Sequence, residues 1–262
     1  MEERMQYDLI ETRKEGRFGW ITLNRPKEMN TFTIPFAQQL DAALWEMEDD
    51  PEVMVVIVEG AGRNFCTGIS LNEFVPRTQM EYREFLYQID AFYHTLARMK
   101  KVTIASVQGY ALANGAGLAF GCDLTVAAET AMFGTTAINV GLICLGPAAP
   151  MMRTLGRKKV LEMVLTGDMI SAADAMALGL VNKVVPEQEL KAAVLELANK
   201  LAAKSPLALR IGKEGLNRLQ DIPYHQGLDV MDDLFATLAS TEDAVEGVGA
   251  FLAKRKPVWK EK

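Results

Sequence analysis

The sequence predicts an α/β body followed by a purely helical C-terminal region, and three observations carry that prediction. Two continuous β-branched runs, residues 53–58 (VMVVIV) and Val102–Val107 (VTIASV), read as strands covered on both faces. Helical periodicity lies between them, and strand–helix–strand alternation implies right-handed crossovers in a largely parallel sheet. Beyond about Val185 only helical periodicity remains, from 187 to 254, broken at Ser205-Pro206 and Ile222-Pro223. The body is expected over residues 1–200 and the helical region over 201–262. The second part is too short to bury a core alone, so it should pack on the body or on another subunit.

The elements follow in chain order. Residues 7–12 and Phe18–Leu23 are short apolar segments separated by Gly16, which reads as a hairpin. Thr33 is a candidate N-cap with Pro35 in the first turn behind it. Phe36, Leu40, Ala43, Leu44 and Met47 then recur every three or four positions, so one helix face is buried. After the first buried strand a longer helix is expected over about 80–99. The strand Val102–Val107 and the glycine-rich segment 109–121 come next, followed by a third strand, Leu124–Ala128. No segment is low in complexity and no solenoid period is visible.

Composition narrows the function. The chain has 262 residues, 49% of them hydrophobic, enough for a core that needs no disulfide or metal staple. Cys66, Cys122 and Cys144 are odd in number and lack paired spacing, which fits free thiols in a reducing compartment. His94 and His225 have no neighbouring cysteine cluster, so no metal site is expected. The net charge of −6 argues against nucleic acid as a partner. No apolar run is long enough for a membrane span, and the charged N-terminal stretch MEERMQYDLIETRKEGR has no apolar signal core. Cytoplasmic residence is the expectation.

Two loops stand at the carboxyl ends of expected strands, where open α/β sheets bind ligands. One is 60–74 (GAGRNFCTGISLNEF); the other is 109–121 (GYALANGAGLAFG), which opens a short helix. A glycine-rich turn entering a helix presents unpaired N–H groups suited to an anion or a developing oxyanion. A dinucleotide site is a poor fit, because Phe120 stands where the third glycine of GxGxxG would fall. The glycines are also compatible with nothing more than close helix–sheet packing.

The segments ITLNRPKEMNTFT (21–33), VIVEGAGRNFCTGISLNEF (56–74), VTIASVQGYALANGAGLAFGCDLTVAAETAMFGTTAINVGL (102–142), GRKKVLEMVLTGDMISAADAMALGLVNKVVP (156–186) and GAFLAKRKPVW (249–259) resemble, in order and spacing, the enoyl-CoA hydratase/isomerase (crotonase) superfamily. The resemblance covers nearly the whole chain. It implies a crotonase-like spiral of ββα units with a helical C-terminal oligomerisation region, assembled as a homotrimer or a dimer of trimers. It implies an acyl-CoA thioester as ligand, with coenzyme A part of the substrate and no separate cofactor. The thioester carbonyl would face the backbone N–H groups of Ile69 (CTGIS) and Asn114 (ALANG). One such oxyanion donor is typically worth about 3–4 kcal/mol of barrier. Contacts to adenine and pantetheine would fall to Lys27, Met29 and Thr31, to Ser70 and Leu71, and to Phe251 and Lys254 from the C-terminal region. The basic cluster Lys254-Arg255-Lys256 suits CoA phosphates, or is an ordinary solvated tail.

The sequence also departs from the family. Hydratases of the superfamily use two glutamates, and the corresponding positions here are Gly117 (NGAGLAF) and Ala137 (FGTTAI). A positioned acid or base is commonly worth about 10²–10⁴-fold, so ordinary crotonyl-CoA hydration is not expected. The stretch after Gly141 (GLICLGPAAPMMRTLG) reads one residue shorter than the family pattern and offers no replacement carboxylate. Ala113 and Asn114 replace residues that are usually glycine, and Asn114 suits a left-handed backbone better than most. Asp90 and Cys144 are the acid/base candidates, set against a solvated helix carboxylate and a buried inert thiol. Ser70 lacks a base nearby in sequence, Tyr87, Tyr93 and His94 share the helix of Asp90, and Asp123 reads as structural. The leading expectation is an acyl-CoA enzyme with non-standard acid/base groups. The alternative is an acyl-CoA-binding protein of the same fold with impaired catalysis.

Overall fold

The computed structural model describes residues 7–262. Strands β1 (Ile10–Glu15) and β2 (Phe18–Leu23) form the expected hairpin, with Glu15 opposite Phe18. Gly16 takes the first central position of the two-residue turn at φ +62, where the twist of a hairpin favours glycine. Helix α1 (Ile34–Asp49) starts where Thr33 accepts a hydrogen bond from the Phe36 N–H, and its five expected apolar residues are all buried. Strand β3 (Val55–Gly60) follows.

The single helix expected over 80–99 is two helices, α2 (Gln79–Ile89) and α3 (Ala91–Arg98), broken at Asp90 with φ −96 and ψ 5. Periodicity hid the break because Phe85, Ile89, Phe92 and Leu96 all enter one core across the bend. Strand β4 (Val102–Val107) leads into β5 (Tyr110–Leu112), helix α4 (Asn114–Gly121) and strand β6 (Leu124–Ala128). Strand β7 (Met132–Gly134), helices α5 (Leu145–Thr154) and α6 (Arg157–Thr166), strand β8 (Met169–Ser171), helix α7 (Ala172–Ala177) and strand β9 (Lys183–Val185) complete the α/β part. Four helices close the chain: α8 (Leu190–Ala202), α9 (Pro206–Leu219), α10 (Tyr224–Ala239) and α11 (Glu242–Leu252).

The main sheet runs β1-β2-β3-β4-β6-β9, parallel from β2 onward. A second sheet, β5-β7-β8, was not expected from sequence. Its strands have three residues each, too short for an alternating pattern to register.

Strand alternation sorts the core into two layers. Val56, Val58, Ala105 and Val107 pack towards α1, α2, α3 and α4, while Val55, Ile57, Ile104 and Val126 pack towards Leu190, Val194 and Ala198 of α8. Helix α8 therefore belongs to the body. Beyond it, Ser205 caps α9 and Pro206 occupies its first turn, while Pro223 immediately precedes α10, which explains both breaks in periodicity. Lys213 ties α9 to the body, donating to the Lys101 carbonyl at 2.8 Å and pairing with Asp123 at 2.8 Å. Leu216, Phe235, Val248, Phe251 and Leu252 remain exposed on the terminal helices. No described helix is long and apolar enough to cross a membrane.

Candidate functional site

The two glycine-rich loops are zipped together by backbone hydrogen bonds. The Phe65 N–H donates to the Gln108 carbonyl at 2.9 Å, the Cys66 N–H to Tyr110 at 3.0 Å, and the Leu112 N–H to Cys66 at 2.9 Å. On its other side the first loop pairs with residues 29–32. The Thr67 N–H donates to Met29, the Phe32 N–H to Gly68 at 2.8 Å, and the Ser70 N–H to Phe32 at 2.9 Å. Buried Asn30 fastens this corner by donating its side-chain amide to the carbonyls of Ala61, Asn64 and Phe65. Sequence reasoning missed Asn30; its Oδ1 accepts locally from the Arg25 N–H, but the three carbonyls it fastens lie more than thirty residues away, where no local pattern exposes them.

This zipper carries the backbones to near contact. A Cβ on Gly68 (φ +96) would lie 2.7 Å from Ala113 Cβ and 3.5 Å from the Asn114 nitrogen. One on Gly115 would lie 2.0 Å from the Cys66 carbonyl oxygen, so neither position tolerates a side chain. Ile69 follows Gly68 directly, and Asn114 is the first residue of α4, whose N–H precedes the helix's own hydrogen bonds. Among the described residues, neither the Ile69 nor the Asn114 backbone N–H donates to a protein acceptor.

The left-handed residue in this segment is Ala113, at φ +46 and ψ −123, rather than Asn114. Asn114 already has helical geometry, so the turn that aims the helix falls one residue earlier. The Ala113 N–H donates to the Gly134 carbonyl of β7 at 2.8 Å, and its own carbonyl accepts from the Gly117 N–H at 3.0 Å. These anchors hold an alanine in a conformation that costs about 1–3 kcal/mol.

Asp90 sits at the bend between α2 and α3. An aspartate before a helix usually accepts hydrogen bonds from the first turn, but Asp90 caps nothing. Its Oδ1 instead accepts from Asn114 Nδ2 at 2.7 Å. Burial raises its pKa from 3.8 to about 6, against the opposing pull of the Asn114 hydrogen bond and of His94. The solvated-carboxylate reading of Asp90 therefore gives way to a largely buried group hydrogen-bonded to the loop residue Asn114.

Tyr93, one turn along α3, stands beside it. A Cβ built on Gly117 would lie 1.7 Å from Tyr93 Oη, so the phenol oxygen fills the space where a side chain at 117 would begin. Tyr93 Oη is buried and has no protein hydrogen-bond partner among the described residues. Burial, then the Asp90 carboxylate, then Cys144 and Cys66, raise its pKa far above the ordinary phenol value. Cys144 is buried at the start of α5, and burial pushes its pKa up against the opposing pull of the Ala137 backbone. The thiol is neutral, which argues against a nucleophilic role.

The other sequence-derived candidates divide into two groups. Met29, Thr31 and Ser70 lie where residues 29–32 pair with 67–70, Lys27 and Leu71 flank these segments in the chain, and Met29 and Leu71 are exposed. Phe251 and Lys254 lie at the end of α11, and no described hydrogen bond or ion pair joins them to those residues. Arg255 is paired with Glu246 at 2.6 Å, so the basic cluster is partly neutralised within the chain. Tyr87 and His94 are exposed. Asp123 accepts from the Thr103 N–H and hydroxyl as well as from Lys213, holding strand and helix together. No group of three His, Cys, Asp or Glu side chains among the described residues is arranged to hold a metal ion.

A mostly parallel sheet flanked by a small second sheet, with helices trailing from the body, is the crotonase fold. The enoyl-CoA hydratase/isomerase family profile matches residues 13–262, and the chain belongs to that family. It is 34% identical over 259 residues to a probable mitochondrial enoyl-CoA hydratase of Dictyostelium discoideum, covering 98% of this chain and 92% of that protein. It is 35% identical over 259 residues to a probable enoyl-CoA hydratase of Rhizobium meliloti, covering 98% and 100%. The crystal structure of an enoyl-CoA hydratase from Mycobacterium smegmatis superposes with a TM-score of 0.93 at 32% identity, covering 96% of this chain and 98% of that one.

Proposed function

We propose that this protein is an acyl-CoA enzyme that stabilises a thioester enolate with the Ile69 and Asn114 N–H groups and moves the proton with Asp90. One observation carries the reading: Asn114 supplies a free backbone N–H from its main chain while its side chain grips Asp90 at 2.7 Å. A single residue thus ties the oxyanion donor to a carboxyl whose pKa is about 6. A base of that pKa is matched to proton transfer near neutral pH.

The step follows from these groups. The Asp90 carboxylate takes a proton from the acyl α-carbon. The electron pair moves into the thioester carbonyl, and the oxygen's charge rests on two backbone donors fixed before reaction. Neutral Asp90 then returns the proton to the enolate. Lys27, Met29, Thr31, Ser70 and Leu71 would line the CoA side, with no cofactor beyond the CoA of the substrate. Phe251 and Lys254 would complete that side from a neighbouring subunit of a homotrimer or a dimer of trimers. The exposed apolar residues of α9–α11 support such an assembly.

A second reading, an acyl-CoA-binding protein with impaired catalysis, draws on Gly117 and Ala137, which put no carboxylate where the family resemblance expects two. Hydrogen–deuterium exchange at the α-carbon of butyryl-CoA in D₂O separates the two. Exchange that is lost in Asp90→Asn with binding retained supports the enzyme. Tight binding without exchange supports the binding protein, and failure to bind any CoA thioester ends both. Crotonyl-CoA hydration should be negligible.

A further inference from the structure

We infer that Tyr93 Oη is a substrate-recognition group that donates a hydrogen bond to an oxygen on the acyl chain beyond the α-carbon, so that the preferred ligand is an oxygen-bearing acyl thioester. This rests on the acyl-CoA reading and adds to it a residue and a substrate class.

Three observations converge on the phenol. First, Oη is buried without a protein acceptor among the described residues. A buried hydroxyl left unpaired is costly, so native proteins rarely retain one without a use. Second, Oη lies against Gly117, with the Pro147 backbone close by; a Cβ at 117 would meet Oη at 1.7 Å and Pro147 Cα at 3.1 Å. Neither neighbour has a side chain that could accept the proton. Third, the phenol and Asp90 border the same space. A Cβ on Gly146 would lie 3.3 Å from Tyr93 Cε2 and 3.5 and 3.6 Å from the two Asp90 oxygens. An acyl chain whose α-carbon is served by Asp90 would run its next atoms along the Tyr93 ring that flanks the same position.

Chemistry fixes the direction of the bond. The phenol stays protonated throughout the working pH range, so it serves as a donor and its partner must be an acceptor oxygen. A hydroxyl or oxo group on the chain satisfies it, whereas a hydrocarbon chain leaves it unpaired. Sites built to hydrogen-bond a substrate group discriminate strongly against the analogue that lacks it.

The test compares equilibrium binding of 3-hydroxybutyryl-CoA, acetoacetyl-CoA and butyryl-CoA by calorimetry, for wild type and Tyr93→Phe. Wild type should prefer the oxygenated esters by about tenfold or more, and Tyr93→Phe should erase that preference while binding butyryl-CoA at least as well. Equal affinities in wild type, or a preference that survives in Tyr93→Phe, would overturn the assignment. A purely structural tyrosine would change thermal stability in the variant without changing the ratio of affinities, which also refutes it. Failure of all three esters to bind, in a protein that melts cooperatively, would instead sink the acyl-CoA reading beneath it.

Discussion

Tyr93 and Gly117 are complementary: the phenol oxygen of one occupies the point where the side chain of the other would start, 1.7 Å from an ideal Cβ. The absence of a side chain on α4 at this point is what admits a phenol from α3. Simply restoring a glutamate at 117 therefore collides with Tyr93. A side chain at 117 and the Tyr93 phenol therefore exclude each other in this packing.

That relationship predicts non-additive stability. Gly117→Ala alone should destabilise by about 1–3 kcal/mol, because overpacking forces the ring or the helix to move. In a Tyr93→Phe background the cost should fall, since the closest atom is gone and the next, Cζ, is 2.8 Å away. Urea unfolding of the four proteins in a double-mutant cycle checks this. Strict additivity would mean that the two residues do not touch.

Asp90→Asn should raise stability while abolishing α-carbon exchange. The folded-state pKa of Asp90 is about 6 against an ordinary 3.8. A raised value means the protonated acid is the form the fold prefers. That preference is satisfied below about pH 4, and its benefit is lost as pH rises through 6. The shift corresponds to about 3 kcal/mol, so the advantage of Asp90→Asn should grow from near zero at pH 4 to about that size above pH 7. The Asn114 amide can still donate to the carbonyl oxygen of the new asparagine. Thermal melts across pH measure the trend.

The same pKa sets the kinetics. If the carboxylate is the base, exchange in wild type should rise with pH through about 6 and level off above it. Asn114 hydrogen-bonds Asp90, and the charge of Asp90 is felt by His94 and Tyr93. Asn114→Ala removes the bond that favours the charged form, so the limb should move to higher pH. An unmoved limb would detach Asp90 from Asn114.

Ala113→Gly should stabilise the protein by about 1 kcal/mol, because glycine enters the φ +46 conformation without the strain that a Cβ brings. Stability is read by urea denaturation, and CoA ester binding should be retained. A loss of stability would show that the alanine methyl packs better than its backbone suffers.

Lys213→Met should loosen the joint between α9 and the body. The ammonium is buried against Asp123 and the Lys101 carbonyl. Breaking a buried pair commonly costs about 3–5 kcal/mol by leaving the partner charge uncompensated. Amide exchange should accelerate first in α9, with β4 and β6 following; uniform protection would remove the lysine from that role.

The sequence by itself determined the layers. β-branched runs located β3 and β4, the Thr33 cap and apolar spacing located α1, and Ser205-Pro206 and Pro223 marked the helix starts, because each of these is a local steric or hydrogen-bonding preference. It also located both glycine loops, and the family resemblance pointed to Ile69, Asn114 and Asp90. Only the tertiary structure decided what Asp90 touches. Its bend lies inside an unbroken apolar periodicity, and its partner Asn114 stands on another helix twenty-four residues along the chain. The fit of Tyr93 to Gly117 was likewise invisible, since an absent side chain has meaning only once the fold shows what fills its place. The short strands β5, β7 and β8 belong to the same class, held by long-range pairing that three residues cannot announce.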